Sequence, residues 1–331
     1  MKISVIVPVR DEQESIRALL DSLLTQTLEP DEIIITDGGS IDLTPSIIDQ
    51  YVDRGFPIQL IRSGPALPGR GRNLSAQRAA GEWLACIDAG IVPDSAWLQE
   101  LLNSANREPM AQVVFGRYKP LIHNFFSECA AITYVVPRGN TAPSIASCLV
   151  KRSVWEEVGG FREDLRSGED VIFIRELERK GIKHTFSEKA VVEWELQPDI
   201  CSTFRRFAAY SRSGMKAGLA QDWQSRVTRV YFVMAVLLAG SWFWAPLSFI
   251  PVILFLLRVE RRIYRWYTWQ SQSWWSFEVL NPRRVLTVAC INFVIDVAMF
   301  LGVCEWILSD RVAGHEETGV QKNGRSPHTN H

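Results

Sequence analysis

Short apolar runs alternate with helical patterns through the first two thirds of the chain. Three runs rich in β-branched and aromatic residues predict buried strands at Ile3–Val9, 32–36 and Trp83–Ile87. Intervening stretches such as 14–25 and 45–54 carry apolar residues at helical spacing. The alternation predicts an α/β fold, with a mostly parallel sheet and helices on both faces.

Each of the three predicted strands ends in a polar turn that contains an acid. The turns read PVRDEQES, DGGSIDLT and DAGIVPD, and they contain Glu12, Asp37 and Asp88. Ligands bind beyond the carboxyl ends of the strands in open α/β sheets, so these acids predict one polar site. Asp37 could accept a hydrogen bond from the N–H edge of a nucleotide base, or it could close an ordinary Asx turn.

Two further motifs carry charge that suits phosphate chemistry and proton transfer. The arginines of 69–73 precede a predicted helix at 73–80 and could hold a diphosphate, or they could form a solvated basic loop. Glu169 and Asp170 precede a predicted helix at 171–180, where acids are ordinary helix-start residues. An aspartate there could also take a proton from an attacking hydroxyl.

The last third of the chain predicts contact with a membrane. Residues 230–257 contain no charge and 285–308 are also apolar apart from acids such as Asp296, and each run exceeds the roughly 20 residues that cross a bilayer. The segment between them, 258–284, is rich in arginine and aromatic residues, which predicts a cytoplasmic loop with an interfacial belt. The run at 230–257 could be one kinked span or a hairpin of two short halves, and the cytoplasmic placement of the loop favours the hairpin.

These patterns divide the chain into four parts. We predict an α/β domain at 1–215, a juxtamembrane segment at 216–229, a membrane region at 230–308 and a disordered tail at 309–331. The basic and aromatic stretch FRRFAAYSRSG, at 204–214, could bind anionic lipid or take part in substrate binding, and both roles could hold together.

Composition excludes some classes of protein. The chain has 331 residues, with 36 Lys and Arg against 37 Asp and Glu, so it lacks the uniformly basic surface of a nucleic-acid binder. Its six cysteines show no paired spacing, which argues against a zinc site or a disulfide framework and fits a reducing compartment. The apolar run at the N-terminus is too short for a signal peptide, so we expect the N-terminal domain in the cytoplasm.

Read in order, five motifs resemble family 2 glycosyltransferases, the inverting enzymes with a GT-A nucleotide-sugar-binding fold. They are VIVPVRDE, ITDGGSIDLT, GRGRNLSAQRAAGEWLACIDAG, GGFREDLRSGED and FRRFAAYSRSG, and they cover residues 1–215. The apolar C-terminus fits the many members that work at the bacterial inner membrane. The resemblance implies a multi-pass protein of that membrane with its catalytic domain in the cytoplasm.

The resemblance also implies roles for individual residues. Asp170, together with Glu169, forms the catalytic pair, and Asp170 is the base. Asp88 is the first acid of a metal-binding DxD motif for Mg²⁺ or Mn²⁺. The expected nucleotide-sugar-binding residues are Pro8, Val9, Glu12, Asp37, Arg72, Asp88, Arg205 and Arg206.

Departures from the family pattern shape the expected function. Gly90 replaces the second DxD acid, and Trp194 falls about where many relatives have a metal-binding histidine, so we expect a weaker or differently ligated metal. The QxxRW signature of processive relatives is missing near 204–214. The expected reaction is transfer of one sugar from a UDP- or GDP-type donor to a membrane-associated, lipid-linked acceptor in cell-envelope glycan, polysaccharide or glycolipid synthesis.

Two other functions would also fit parts of the sequence. Sugar-phosphate nucleotidyltransferases need a G-x-G-x-R loop after the first strand, where this chain has PVRDEQES. A membrane scaffold that binds nucleotide-sugar without catalysis is the second rival, because Gly90 removes a metal acid. The retained Glu169 and Asp170 argue against that scaffold.

Overall fold

A computed structural model describes residues 1–135, 143–219, 224–269 and 281–322. Within them, eight strands form one mixed sheet with the spatial order β3-β2-β1-β4-β7-β6-β8-β5. The strands are β1 (Ile3–Val9), β2 (Glu32–Asp37), β3 (Ile58–Arg62), β4 (Trp83–Ile87), β5 (Ile91–Pro93), β6 (Val113–Leu121), β7 (Ser147–Lys151) and β8 (His184–Glu195).

Strands β3, β2, β1 and β4 are parallel to one another, and the last three are buried on both faces. Strand β1 lies between β2 and β4, and β3 pairs with β2, all in parallel. Along β1, Val5 and Val7 face one core while Ile6 faces the other, as the two-residue period of a strand requires. Helices cover both faces, so the predicted α/β fold is confirmed.

The other half of the sheet mixes directions. Strand β7 is antiparallel to both β4 and β6, whereas β6 and β8 are parallel. The short strand β5 pairs antiparallel with β8, which sets Trp194 opposite Ile91. Because β5 follows directly after the turn at 88–90, Trp194 lies beside one of the predicted acidic turns.

The helices predicted at 14–25, 45–54 and 171–180 each have a counterpart in the structure. The helices of the structure are α1 (Ile16–Leu24), α2 (Thr44–Val52), α3 (Pro68–Arg78), α4 (Trp97–Arg107), α5 (Phe125–Tyr134), α6 (Arg152–Val158), α7 (Glu169–Arg179), α8 (Ile200–Lys216), α9 (Gln224–Gly240), α10 (Phe249–Trp269) and α11 (Pro282–Lys322). A 3-10 turn, Ala245–Ser248, lies between α9 and α10.

The C-terminal helices share a hydrophobic core with the α/β fold. This core joins Ile132 of α5 and Phe207 of α8 to Ile263 of α10 and Ile295 of α11. Arg284 of α11 donates to Glu128 of α5 at 3.1 Å, which ties the two parts together at one edge of the core. The predicted domain boundary at 215 therefore falls within a region of continuous packing.

Several expectations for the C-terminal third need correction. Residues 258–269 continue helix α10 and are not a loop, and Trp266 and Tyr267 are buried in the shared core instead of lying in an interfacial belt. The predicted tail is helical as far as Lys322. Trp274 and Trp275, which the predicted interfacial belt at 258–284 includes, lie outside the described residues.

One helix within the described residues is long and apolar enough to cross a membrane by length and composition. It is Pro282–Ser309, and 44% of its most apolar window is buried inside the protein. The run at 230–257 is divided between α9 and α10, in agreement with the predicted hairpin. The expected multi-pass arrangement is not supported by these helices.

Candidate functional site

The predicted acids do lie at the carboxyl ends of the central strands. Glu12 follows β1, Asp37 ends β2, and Asp88 follows β4. Because these strands are parallel neighbours, their three ends lie at the same edge of the sheet. Pro8 and Val9 form the last residues of β1 at this edge, and Val9 is opposite Asp37.

Arg72 lies at the centre of a buried charge network. Its Nη1 donates to Glu169 Oε1 at 2.7 Å, and its Nη2 donates to Asp88 Oδ1 at 2.5 Å. Burial lowers the pKa of Arg72, but the charges of Asp88 and Glu169 raise it more, so the guanidinium stays protonated. In this structure the Arg72 guanidinium contacts two carboxylates, and its approach to a base or diphosphate stays a prediction.

The segment 69–73 is helical and not a loop before a helix. Helix α3 starts at Pro68, so Gly69 and Gly71 occupy its first turns. A Cβ at Gly69 would lie 2.0 Å from the carbonyl oxygen of Arg162, and one at Gly71 would lie 3.0 Å from Pro8 Cβ. The glycines therefore allow α3 to pack tightly against β1 and the 161–163 segment, which sets the position of Arg72.

Glu169 and Asp170 begin helix α7, as predicted, after Gly168 at a φ of +88°. Glu169 is buried, and its carboxylate is held by Arg72, whereas Asp170 is half-buried and accepts the Val171 backbone N–H at 2.8 Å. Burial raises the pKa of Asp170, and the charge of Arg72 opposes that rise. Of the two acids, Asp170 is thus the one placed to exchange a proton with a bound molecule.

Asp37 forms an Asx turn, which is one of the two roles that the sequence predicts for it. Its Oδ1 accepts the Ser40 backbone N–H at 3.0 Å and the Ser40 hydroxyl at 2.6 Å. Gly38 in this turn approaches Ala66, where a Cβ would lie 2.6 Å from the carbonyl oxygen. A turn role and a base-binding role are compatible because both turn contacts use the same oxygen.

Arg206 of α8 stands beside the turn that contains Gly90. Its Cζ lies 5.0 Å from the centre of the Trp194 ring, and its Nε donates to Tyr210 at 2.8 Å. Burial raises the pKa of Glu12, and the positive charge of Arg206 opposes that rise, so the two side chains share one environment. A Cβ at Gly90 would lie 3.3 Å from Glu12 Oε2, so little space is left there for an acidic side chain.

Arg205, a predicted site residue, differs from Arg206 in its exposure to solvent. It is exposed on α8, whereas its neighbour Arg206 is half-buried against Trp194. Consecutive residues on a helix point about 100° apart, so the two arginines leave α8 in different directions. The structure brings together Glu12, Asp88, Arg72, Glu169, Asp170 and Arg206.

The residues present offer a divalent ion a sparse set of ligands. No group of three or more His, Cys, Asp and Glu side chains that could hold a metal occurs among the described residues. Asp88 is about one third exposed and supplies a single carboxylate at the predicted position, with one oxygen already held by Arg72. Such a site suits an ion that takes its other ligands from phosphates and water.

Two residues near the site were missed by the motif analysis. Tyr118 of β6 donates to or accepts from Ser144 at 2.7 Å, and burial together with the charge of Asp88 raises its pKa well above the usual value. Asn73 of α3 holds the backbone of Phe161 with both amide atoms, at 2.8 and 2.9 Å. Tyr118 lies outside every motif, whereas Asn73 ends the glycine and arginine motif and could have been included.

Comparison with known proteins agrees with this fold. Residues 4–136 match the model of glycosyl transferase family 2. The mannosyltransferase PcManGT from Pyrobaculum calidifontis, solved with GDP-Man and Mn²⁺, has a TM-score of 0.60 and 18% identity, covering 88% of this chain and 87% of that one. At this identity the likeness shows the fold alone, which is GT-A. Residues 4–136 thus resemble glycosyl transferase family 2, and the match covers less than half of the chain.

The curated relatives are distant and differ in length. Glycosyltransferase AglE from Haloferax volcanii is 24% identical over 265 residues, covering 75% of this chain and 81% of that protein. O-antigen biosynthesis protein RfbC from Myxococcus xanthus is 27% identical over 209 residues, covering 55% of this chain and 16% of that protein. The chain thus spans a small part of RfbC, and matches to two Bacillus subtilis relatives cover 34% and 31% of their lengths.

Proposed function

We propose that the chain is an inverting glycosyltransferase that moves one sugar from a nucleotide-sugar to the hydroxyl of an acceptor. The observation that carries the proposal is the network in which Arg72 joins Asp88 to Glu169 and so holds Asp170 at the same edge of the sheet. The match of residues 4–136 to the model of glycosyl transferase family 2 supports the class of reaction.

In the proposed reaction, Asp170 accepts the proton of the acceptor hydroxyl. The acceptor oxygen forms a new bond to the anomeric carbon as the bond from that carbon to the diphosphate breaks. The nucleoside diphosphate leaves with the bonding electrons, and the sugar is inverted by this single displacement. The raised pKa of Asp170 suits a general base because its conjugate acid is then a weaker acid.

Arg72 and Glu169 act in this proposal by positioning other groups. The ion pair between them fixes the first turn of α7, and the second contact of Arg72 fixes the carboxylate of Asp88. Arg72 and Glu169 are both almost fully buried, so few alternative positions are open to either side chain. Correct placement of reacting groups is a large part of catalytic rate.

We assign the leaving diphosphate to the space beside Asp88, Glu12 and Arg206. Asp88 would hold a Mg²⁺ or Mn²⁺ ion there, and such an ion neutralises charge on a leaving diphosphate. Arg206 adds a fixed cation whose position is set by the Trp194 ring. Pro8, Val9 and Asp37 would line the nucleotide, and Arg205 would contact the donor only from the exposed side of α8.

We also infer that the acceptor is bound at a membrane, as a lipid-linked intermediate or a glycolipid in cell-envelope glycan synthesis. The large exposed apolar residues of α9 and α10 support this inference, since soluble surfaces rarely expose so many together. We place the catalytic domain, near residues 1–215, on the cytoplasmic side of the inner membrane.

A second candidate is a nucleotide-sugar-binding scaffold with impaired catalysis. Two observations favour it: the contact of Arg72 with Asp88 and the absence of an acid at Gly90. Both would weaken metal binding without closing the nucleotide site.

The test measures binding and nucleotide release for UDP-, GDP- and dTDP-sugars, with Mn²⁺ or EDTA and with or without membrane lipid extract. Release that requires the extract and one donor supports the transferase. Binding of a donor without release under any condition supports the scaffold. If no donor binds, both proposals fail. The difference in nucleotide release between Mn²⁺ and EDTA reports whether the single carboxylate of Asp88 is sufficient to bind a metal ion.

A further inference from the structure

We propose that α9 and α10 form a hairpin that enters one leaflet of a lipid bilayer tip first, without crossing it. This inference concerns how the chain meets a membrane and does not depend on the proposed transfer reaction. The term "tip" refers below to residues 241–248, and "base" to the level of the Asp296 carboxylate.

The two helices lie side by side, because one residue from each helix donates hydrogen bonds to the same carboxylate. Arg258 of α10 donates to both oxygens of Asp296, at 2.6 and 3.0 Å, and Tyr231 of α9 donates to the same group at 2.9 Å. Tyr231 is near the start of α9 and Arg258 is near the middle of α10, so the chain runs outward from the base and returns to it.

The hairpin beyond the base is apolar on all sides. Between the base and the tip, residues 232–240 and 249–257 contain no charge, and most of their large side chains are exposed. At the tip, Trp242 and Phe243 are each 90% exposed and Trp244 is 62% exposed. A helix that is hydrophobic all round and yet exposed in the isolated chain belongs in a membrane or against another protein.

The length of the hairpin matches one leaflet. From Tyr231 to Gly240, and from Phe249 to Arg258, each arm advances nine residues, or about 14 Å at 1.5 Å per residue. The hydrocarbon core of a bilayer is about 30 Å thick, so each arm reaches about its midplane. The arms are too short to cross it.

The charges at the base favour lipid over a second protein chain. Arg229 precedes the first arm, and Arg261 and Arg265 follow the second arm, all of them exposed. When the arms are in hydrocarbon, these arginines stand at the depth of the headgroups, where anionic lipids attract them. The geometry therefore fits a leaflet with anionic lipid.

Near the base, the apolar helix α11 packs against α8. Ser211 of α8 donates to the Met299 carbonyl at 2.7 Å, and a Cβ at Gly302 would lie 2.4 Å from the Ala208 carbonyl oxygen. Further along, Arg212 pairs with Glu305 at 3.7 Å, with both side chains more than half exposed. This close packing on α8 keeps that half of α11 against the α/β fold, so we assign the membrane contact to the hairpin.

The first test is flotation of the full chain with vesicles of neutral lipid and of neutral lipid with one quarter anionic lipid. Replacing Trp242, Phe243 and Trp244 together by serine should lower binding to both by more than about tenfold, because three large apolar side chains leave the lipid. Met110→Ser, which changes an exposed residue of the α/β fold, is the control and should bind like the original chain. Equal melting temperatures would show that the triple variant is folded.

The second test asks whether the tip crosses the bilayer. Phe243→Cys, in a chain whose exposed Cys201, Cys290 and Cys304 are replaced by serine, is incorporated into sealed vesicles. A membrane-impermeant maleimide should label it from neither side, and should label it after detergent is added. Labelling from the side opposite the α/β fold would mean a crossing hairpin and would overturn the proposal. Unchanged flotation of the triple variant would also overturn the proposal. A dimer that the original chain forms without lipid, and that the triple variant does not form, would overturn it too.

Discussion

Asp170 is the residue on which the proposed chemistry depends most directly. Asp170→Asn keeps the side-chain size but removes the proton acceptor, so we expect kcat to fall by about 10²- to 10⁴-fold. Nucleotide affinity, measured by calorimetry with the nucleoside diphosphate, should change little. Glu178→Gln, at an exposed position of the same helix, is the control and should leave both quantities intact. A variant that keeps more than about a third of the original kcat would remove Asp170 from the mechanism.

The pH profile tests the same side chain without a mutation. A general base works when it is deprotonated, so activity should fall as pH falls through the pKa of Asp170. Burial raises that pKa above the usual value of an aspartate, about 3.9, so the acidic limb of kcat/KM should lie above that value. Intrinsic fluorescence at each pH separates this limb from unfolding. An acidic limb at or below the usual aspartate value would contradict the assignment.

Glu169 should matter for stability as well as for position. Glu169→Ala leaves Arg72 buried with Asp88 as its remaining charged partner, and breaking a buried ion pair costs about 3 kcal/mol. Asp164→Asn weakens the exposed pair with Arg162 and should cost less than about 1 kcal/mol. Urea unfolding measures both free energies. Equal losses in the two variants would show that the buried network contributes no more than a surface contact.

At the scale of elements, the bounds of a strand were predicted best where the whole strand is buried. Strands β1 and β4 were predicted to the residue, because their continuous apolar runs stop abruptly at polar turns. Helix α3 was predicted to begin five residues late, because glycine and arginine at 69–72 are typical of a loop. The contacts that explain those glycines come from Arg162 and Pro8, which are distant in sequence, and no local pattern reports them.

Helix α3 gives the prediction that belongs to this scale. In Gly69→Ala the new Cβ would lie 2.0 Å from the Arg162 carbonyl oxygen, so the helix or the 161–163 segment must move. We expect a loss of about 1 to 3 kcal/mol in the free energy of unfolding, as for other overpacked sites. Gln77→Ala, at an exposed position of α3, should be nearly neutral in the same urea titration. Equal free energies for the two variants would mean that the close approach is not needed.

Across the whole molecule, the aromatic residues of α10 show that composition alone does not predict which side chains are buried. Trp266 and Tyr267 have the composition of an interfacial belt, yet they pack in the core shared with α5 and α8. The same holds for charge: Arg284 was assigned to a cytoplasmic loop by the positive-inside tendency, and it pairs with Glu128. Which side of such a helix is buried depends on partners more than a hundred residues away in sequence.

The shared core predicts how the chain responds to truncation. A chain ending at 219 would expose Ile132 and Phe207 and would leave Glu128 without Arg284, so we expect it to aggregate on size-exclusion chromatography. A chain ending at 309 keeps every residue of that core and should elute and melt like the full chain. A monomeric 1–219 chain with an unchanged melting temperature would instead make the predicted boundary at 215 a true domain boundary. Aggregation would mean that the C-terminal helices are needed to hold α8, and with it Arg206, beside the site.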